Sequence, residues 1–222
     1  MFQQMIQGSI AVLTRPSVST FEEHEQDNLG WALIYVAIGA ALSGLLGVVQ
    51  FMVQRLELER QIAELRAQMS DLPPMFSQMM EAFLTPPSLV GSILSNAIGA
   101  IIWFLLFLVF VYAIGRAFGG TGSFGELAFD IALFSAPLTV VGALLGIINI
   151  GPLGFIIAIV GLVLSIYQFY LTYLGVQSGL NLPSNKALYT MLLVIVMSIL
   201  IACMLSIFIA FLIAAIVGAA GA

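Results

Sequence analysis

The sequence predicts an all-α, polytopic membrane protein: a compact bundle of five transmembrane helices with amphipathic flanking helices. Two observations predict this class. Apolar residues make up 61% of the 222 residues and charged residues only 8%, whereas an ordinary soluble domain has about 25% charged residues. In addition, no charged residue lies between Asp130 and Lys186 or after Lys186. Hydrocarbon cannot solvate an ion or an unpaired peptide group, so uncharged apolar runs of this length are expected to cross a bilayer.

The first 29 residues (1–29) are predicted to form an N-terminal interfacial or amphipathic segment. Apolar residues recur at helical spacing over Met1–Leu13, which indicates a helix lying either on the edge of the bundle or on the membrane surface. Ser19 and Thr20 each precede a glutamate by three residues. This capping-box pattern predicts a second helix that begins there and runs on into the first span. His24 and its acidic neighbours indicate a solvated helix face rather than a metal or pH-sensing site.

The remaining residues (30–222) are predicted to form the membrane domain. Its five spans are expected at about 31–53, 87–115, 126–150, 152–177 and 188–218, since each is long and apolar enough to cross. A helical excursion outside the membrane, residues 54–86, follows the first span and includes an amphipathic segment at Met75–Leu84. Gly151-Pro152 is the expected turn in the long uncharged stretch. The basic residues divide equally between the two ends of this topology, so charge alone does not fix its orientation.

Small residues at four-residue spacing occur in every predicted span. Membrane helices associate through such residues because lipid tails leave no hydrophobic force between helices. The pattern predicts close packing and, besides the lipid bilayer, a partner that is either a second copy of the chain or another membrane protein. The stripes are Gly39-Ser43-Gly47, Gly91-Ser95-Gly99, Ala132-Ala136, Gly142-Gly146, Gly154-Ala158, Gly161-Ser165 and Ala210-Ala214-Gly218.

Composition disfavours several functional classes. Six basic residues are too few to contact nucleic-acid phosphates. One histidine and one cysteine, Cys203, leave no set typical of a metal site. No nucleophile lies near a histidine within a span. The chain is therefore predicted not to be an enzyme and to hold no cofactor or metal.

Asp130 is the strongest candidate functional residue. It lies one turn after Glu126 and is the one acid expected to reach into a span. Intramembrane acids often mark ion or proton routes. Arg116 and Lys186 are expected at the same end of the bundle, so the other interpretation of Asp130 is a structural ion pair with either of them or a position at the membrane interface. An ion or proton role would make the chain a small-solute or ion transporter or channel subunit.

Three segments, in this order, resemble the Yip (Ypt-interacting protein) domain family: Phe118–Glu126 (FGGTGSFGE), Phe134–Leu138 (FSAPL) and Gly175–Ala187 (GVQSGLNLPSNKA). The resemblance implies a five-helix integral membrane domain with a cytosolic N-terminus. It implies a small GTPase as a partner by family analogy only. The chain lacks the long hydrophilic N-terminal region of eukaryotic relatives and is more similar to prokaryotic members, which indicates a prokaryotic cell membrane. Pro137, in the second segment, is predicted to kink the third span.

The first of these segments has a clear local interpretation. Gly119, Gly120 and Gly122 allow the chain to turn sharply between the second and third spans. Ser123 is the predicted N-cap of the third span. Glu126 falls in its first turn, where a carboxylate stabilises the positive end of a helix. The leading functional prediction is a non-enzymatic membrane protein of Yip type that acts as a scaffold or accessory subunit through helix–helix and lipid contacts.

Overall fold

The computed structural model describes residues 1–68, 85, 88–149, 151 and 153–220. Over these residues the chain is built from α-helices, and five of the helices are long and apolar enough to cross a membrane. The predicted fold class, an all-α polytopic bundle, is confirmed. The predicted amphipathic segment Met75–Leu84 lies outside the described residues, and the division into 1–29 and 30–222 stays a prediction.

Two short helices precede the five long ones, α3 to α7, which contain the candidate spans. The long helices alternate in direction, so the start of α3 shares one end of the bundle with the loop from α4 to α5 and the loop from α6 to α7. In chain order the bounds are α1 Phe2–Thr14, α2 Val18–His24, α3 Leu29–Gln68, α4 Leu89–Ala117, α5 Phe124–Ile147, α6 Leu153–Gly179 and α7 Ser184–Ala220.

Helix α1 stands alongside the spans instead of lying across their ends. Its first residues share a surface groove with Gly39 of α3 and Pro137 of α5. At 1.5 Å per residue, Pro137 is roughly 20 Å from the start of α5. The Ser9 hydroxyl is hydrogen-bonded to the Tyr35 hydroxyl at 2.9 Å. The face of α1 that contains Met5 and Val12 is therefore buried on the bundle.

Helix α2 is separate from α3, so the predicted continuous helix from Ser19 into the first span is wrong. Ser17, not Ser19, caps α2, because its side chain accepts a hydrogen bond from the Thr20 amide. The backbone at Glu25 is extended (φ −59°, ψ 141°) and ends the helix. The Asn28 carboxamide oxygen then accepts a hydrogen bond from the Trp31 amide at 3.1 Å. Asparagine is a preferred N-cap residue, and α3 begins here as a separate helix.

Close packing is concentrated at the end of the bundle that carries α1 and α2. The fully buried large side chains include Phe21 of α2, Phe129 and Phe134 of α5, and Leu171 of α6. Helix α3 packs most extensively against α5 and α4. Its crossing with α5 is tight, because a Cβ at Gly39 would lie 2.8 Å from the Ala136 carbonyl oxygen. Small residues do bring these backbones together, as membrane helix packing requires.

The opposite end of the bundle is more open. A Cβ added at Gly47, Gly99, Gly142 or Gly161 would meet no atom within 4 Å. Helix α7 is buried at Ala187, Met191 and Val194, and every described side chain from residue 196 to 211 is exposed. Several of the small-residue stripes therefore face outward in the single chain.

Candidate functional site

The loop between α4 and α5 is fastened to the end of α6. The Thr121 and Gly122 amides both donate hydrogen bonds to the Leu180 carbonyl oxygen, at 2.9 and 3.4 Å. Gly119 has a φ of +93°, a conformation open chiefly to glycine. The Gly120 amide turns back to bond the carbonyl oxygen of Gly115 at 2.9 Å. This sharp turn, predicted from the glycines, holds the start of α5 against the end of α6.

A capping box begins α5. The Ser123 hydroxyl accepts a hydrogen bond from the Glu126 amide at 3.0 Å. In return, the Glu126 carboxylate accepts one from the Ser123 amide at 2.7 Å. The predicted N-cap and the predicted first-turn position of Glu126 are confirmed. This arrangement satisfies two amides that a helix N-terminus otherwise leaves unbonded.

Asp130 lies one turn below Glu126 and is completely buried. Neither of its carboxylate oxygens has a hydrogen-bond partner among the described residues. The Ser178 hydroxyl of α6 lies close by, but it too makes no hydrogen bond of acceptable geometry. A Cβ at Gly179 would lie 3.4 Å from an Asp130 oxygen, so α6 packs directly against Asp130. A buried carboxyl with no partner is energetically costly and marks a functional site more often than a packing position.

Glu25, at the end of α2, faces the same place. One of its carboxylate oxygens is buried without a partner among the described residues. Burial, followed by the nearby Glu126 and Glu22 carboxylates, raises the pKa of Glu25 from 4.5 to about 7. Glu25, Glu22 and Glu126 all act electrostatically on Asp130. These four carboxyl groups are called the acidic cluster below.

The acidic cluster has no basic partner within the part of the chain that the structure describes. The ion pairs among the described residues are Arg55–Glu59 and Arg60–Glu64, and both lie on the part of α3 that is far from the cluster. Arg116 instead donates a hydrogen bond to the Gly120 carbonyl oxygen at 3.1 Å and lies over the Tyr112 ring. The Lys186 ammonium lies beside Gly119. No ion pair joins Asp130 to Arg116 or Lys186 among the described residues.

Most of the residues singled out in the sequence meet at this end of the bundle. The three loop glycines, Arg116 and Lys186 surround the α4–α5 turn, and Glu126 and Asp130 lie beneath it. Pro137 lies apart: α5 continues through it, and it lines a surface groove together with the first residues of α1. Within the described residues, no group of three or more His, Cys, Asp and Glu side chains could hold a metal ion.

Sequence reasoning missed Glu25, which it assigned to a solvated acidic face. Its position depends on where α2 ends and on the packing of α2 against α6. The packing cannot be predicted from the neighbouring residues in the sequence. Asn28 was the available signal, since an asparagine just before an apolar run is a typical helix start. It would have placed a break in the helix directly after Glu25.

Three grooves adjoin one another below the acidic cluster. The inner groove, of about 520 Å³, reaches from Ile131 to Thr139 on α5 and includes Gln168 and Thr172 of α6. The lateral groove, of about 350 Å³, lies between α5 and α6 and shares Ser165 and Gln168 with the inner groove. The end groove, of about 410 Å³, shares Asn149 with the lateral groove and is completed by the polar residues Gln54, Glu57 and Gln61 of α3.

The Yip1 domain family matches residues 10–206 of the chain. No curated protein matches the chain, and no solved structure matches it either. The family match covers most of the sequence, including all three segments that carry the resemblance. The chain belongs to the Yip1 domain family and is an integral membrane protein of that family, which is not a known enzyme family.

Proposed function

We propose that the chain is a non-enzymatic scaffold or accessory subunit that binds a transmembrane helix in its lateral groove. The helix belongs either to another membrane protein or to a second copy of the chain. We place the protein in a prokaryotic plasma membrane, with its N-terminus, and hence the acidic cluster, on the cytoplasmic side. The family resemblance supports this placement.

The lateral groove is the observation that carries the proposal. Gly142 and Gly161 line it, and nothing lies within 4 Å of a Cβ placed at either. Gln168, near the middle of α6, also lines the groove and is exposed. Its side-chain amide makes no hydrogen bond within the described residues, although its backbone carbonyl accepts one from Thr172. An unpartnered amide at membrane depth favours a hydrogen bond to a second helix, and open glycines let that helix approach closely.

Filling the groove is expected to release the partner without unfolding the chain. Gly161→Leu places four carbons at a site in the lateral groove where a Cβ meets no atom within 4 Å, so stability should be unchanged or raised by up to about 1 kcal/mol. Gly99→Leu is the matched control: its site is equally open but lies on α4, outside the groove. Each tagged variant is purified in gentle detergent from its native membrane, and bound proteins are identified and quantified by mass spectrometry.

The outcome separates the alternatives. A stoichiometric membrane protein or second copy that is lost with Gly161→Leu and kept with Gly99→Leu supports the proposal. A wild-type chain that purifies as a monomer with lipid only contradicts it, as does a partner retained equally by both variants.

A second candidate function is a proton or small-cation route that uses Asp130. The observation that favours it is the series of adjoining grooves, which places polar side chains at intervals from Ser135 and Thr139 to Asn149 and Gln54. The Ser135 hydroxyl, in the inner groove, is buried without a partner among the described residues. Buried acids followed by polar side chains are typical of proton routes in membranes.

Asp130→Asn is the test of this route. If the chain conducts protons, the substitution should abolish their flux, because the amide cannot take up and release a proton at working pH. The measurement is acidification of proteoliposomes containing a pH-sensitive dye, under an imposed membrane potential. Glu23→Gln, which removes an exposed carboxyl outside the acidic cluster, is the control. Equal flux in wild type and Asp130→Asn would contradict the route, as would the absence of flux in wild type.

A further inference from the structure

The acidic cluster and the adjoining Ser178 together contain more unsatisfied buried oxygen atoms than any other place described in the chain. They are both carboxylate oxygens of Asp130, one of Glu25 and the hydroxyl of Ser178. A buried acceptor left without a hydrogen bond is energetically costly, and an unpaired buried charge costs more. A positive group bound between Asp130 and Glu25 would remove most of this cost.

The surroundings restrict what that positive group is. Asp130 is 0% exposed, so no side chain of a partner and no organic amine reaches it. No group of three or more His, Cys, Asp and Glu side chains among the described residues could hold a metal ion. Arg116 and Lys186 are engaged at the loop above, as described. A proton is the one cation that fits without rearrangement.

We propose that Asp130 and Glu25 form a proton-binding site that controls the docking of α2: one proton is held while α2 lies on α6, and its loss releases α2. Glu25 ends α2, whereas Asp130 belongs to α5, so the site joins a short peripheral helix to the core. When both carboxyls are ionised, like charges oppose each other in a site that excludes water. Moving Glu25, and with it α2, into solvent relieves this repulsion.

The charged groups that act on Asp130 and Glu25 all oppose the ionisation of these two carboxyl groups. Glu22 of α2 and Glu126 of α5 add negative charge, and α6 contributes the neutral Ser178. Asp27 lies against Gly125 at the start of α5. His24, the one basic group of α2, is hydrogen-bonded to the Thr20 carbonyl oxygen and lies beside Gly8 of α1. No described cation compensates the cluster, so its ionisation is opposed from every side.

The raised pKa of Glu25 determines how the docking of α2 depends on pH and over which pH range. Undocked, Glu25 titrates near 4.5, and docked, it titrates at about 7. Between these values the docked state binds more protons than the undocked state, so docking weakens as the pH rises. Above about pH 7 both states are ionised at Glu25 and the dependence levels off. Docking is therefore strongest in mildly acidic solution.

Hydrogen exchange of the α2 backbone amides, measured by mass spectrometry on the full chain in nanodiscs, tests the site. After correction for the intrinsic exchange rate, the opening of wild-type α2 should increase by up to about tenfold per pH unit between about pH 5 and pH 7, the factor for one proton. Glu25→Gln should remove this dependence, and Asp130→Asn should reduce it, because a neutral amide no longer repels Glu25. Glu23→Gln, which removes an exposed acid of α2, should behave as wild type.

Infrared spectroscopy of the wild type measures the protonation of the carboxyl groups directly and needs no variant. A carbonyl stretch of a protonated carboxylic acid should be present near pH 5 and diminish by about pH 8, since a buried carboxyl titrates above its usual range. The proposal is overturned by an α2 protection that does not depend on pH, by a full pH dependence in Glu25→Gln, or by the absence of a titrating protonated-acid band. None of these readings needs transport or a partner, so failure of the site and failure of either proposed function are distinguishable.

Discussion

Gly122→Val is expected to destabilise the chain by at least about 3 kcal/mol, a large effect for a single substitution. A Cβ at this position would collide with the Gly179 carbonyl oxygen and would lie 2.8 Å from the Gly179 carbonyl carbon and 2.9 Å from the Leu180 Cα. These are backbone atoms at the end of α6, and they cannot rotate away as a side chain does. Either the loop leaves α6 or the end of α6 moves away from α5.

Thermal unfolding in detergent, followed by circular dichroism, measures this effect. Thr121→Val is the control, because Thr121 is exposed and its amide bond to Leu180 is kept. Valine then replaces another β-branched residue one position away, without entering the α6 contact. Equal unfolding midpoints for the two variants would contradict the close approach of Gly122 to α6.

This loop was predicted from sequence because its signals are local. The glycines, the serine N-cap and the glutamate three residues later form one short motif, and each acts within a few residues of its own position. The five spans were predictable for a similar reason, since hydropathy over about 20 residues decides whether a segment can cross a bilayer. In both cases the interactions that determine the structure act over the same number of residues as the sequence pattern spans.

The acidic cluster could be predicted only in part. Asp130 was identified because a charge within an apolar run is unusual, yet its partners could not be, since Glu25 and Ser178 come from distant segments. The sequence left the placement of α1 open between the bundle edge and the membrane surface for a related reason. An apolar face shows that a helix is amphipathic, but membrane lipid and the side of a bundle are equally apolar. Only the packing of Met5 and Val12 in the core decides between them.

The second large effect is expected at the crossing of α3 with α5. Gly39→Leu would place a Cβ 2.8 Å from the Ala136 carbonyl oxygen and 3.1 Å from its Cβ. Overfilling of this kind costs about 1–3 kcal/mol, and it acts on the most extensive helix contact of the chain. We expect a lower unfolding midpoint and, because α5 carries Asp130, faster exchange of the α2 amides.

Gly47→Leu, two turns further along α3, is the matched control, because the two substitutions are expected to change stability in different directions. A Cβ there would meet no atom within 4 Å, and leucine favours a helix over glycine by up to about 1 kcal/mol. The same substitution in the same helix should therefore be neutral or slightly stabilising at position 47 and clearly destabilising at position 39. If both variants unfold at the wild-type temperature, α3 and α5 are not in contact at Gly39. If both are destabilised alike, the cost belongs to leucine in this helix and not to the crossing.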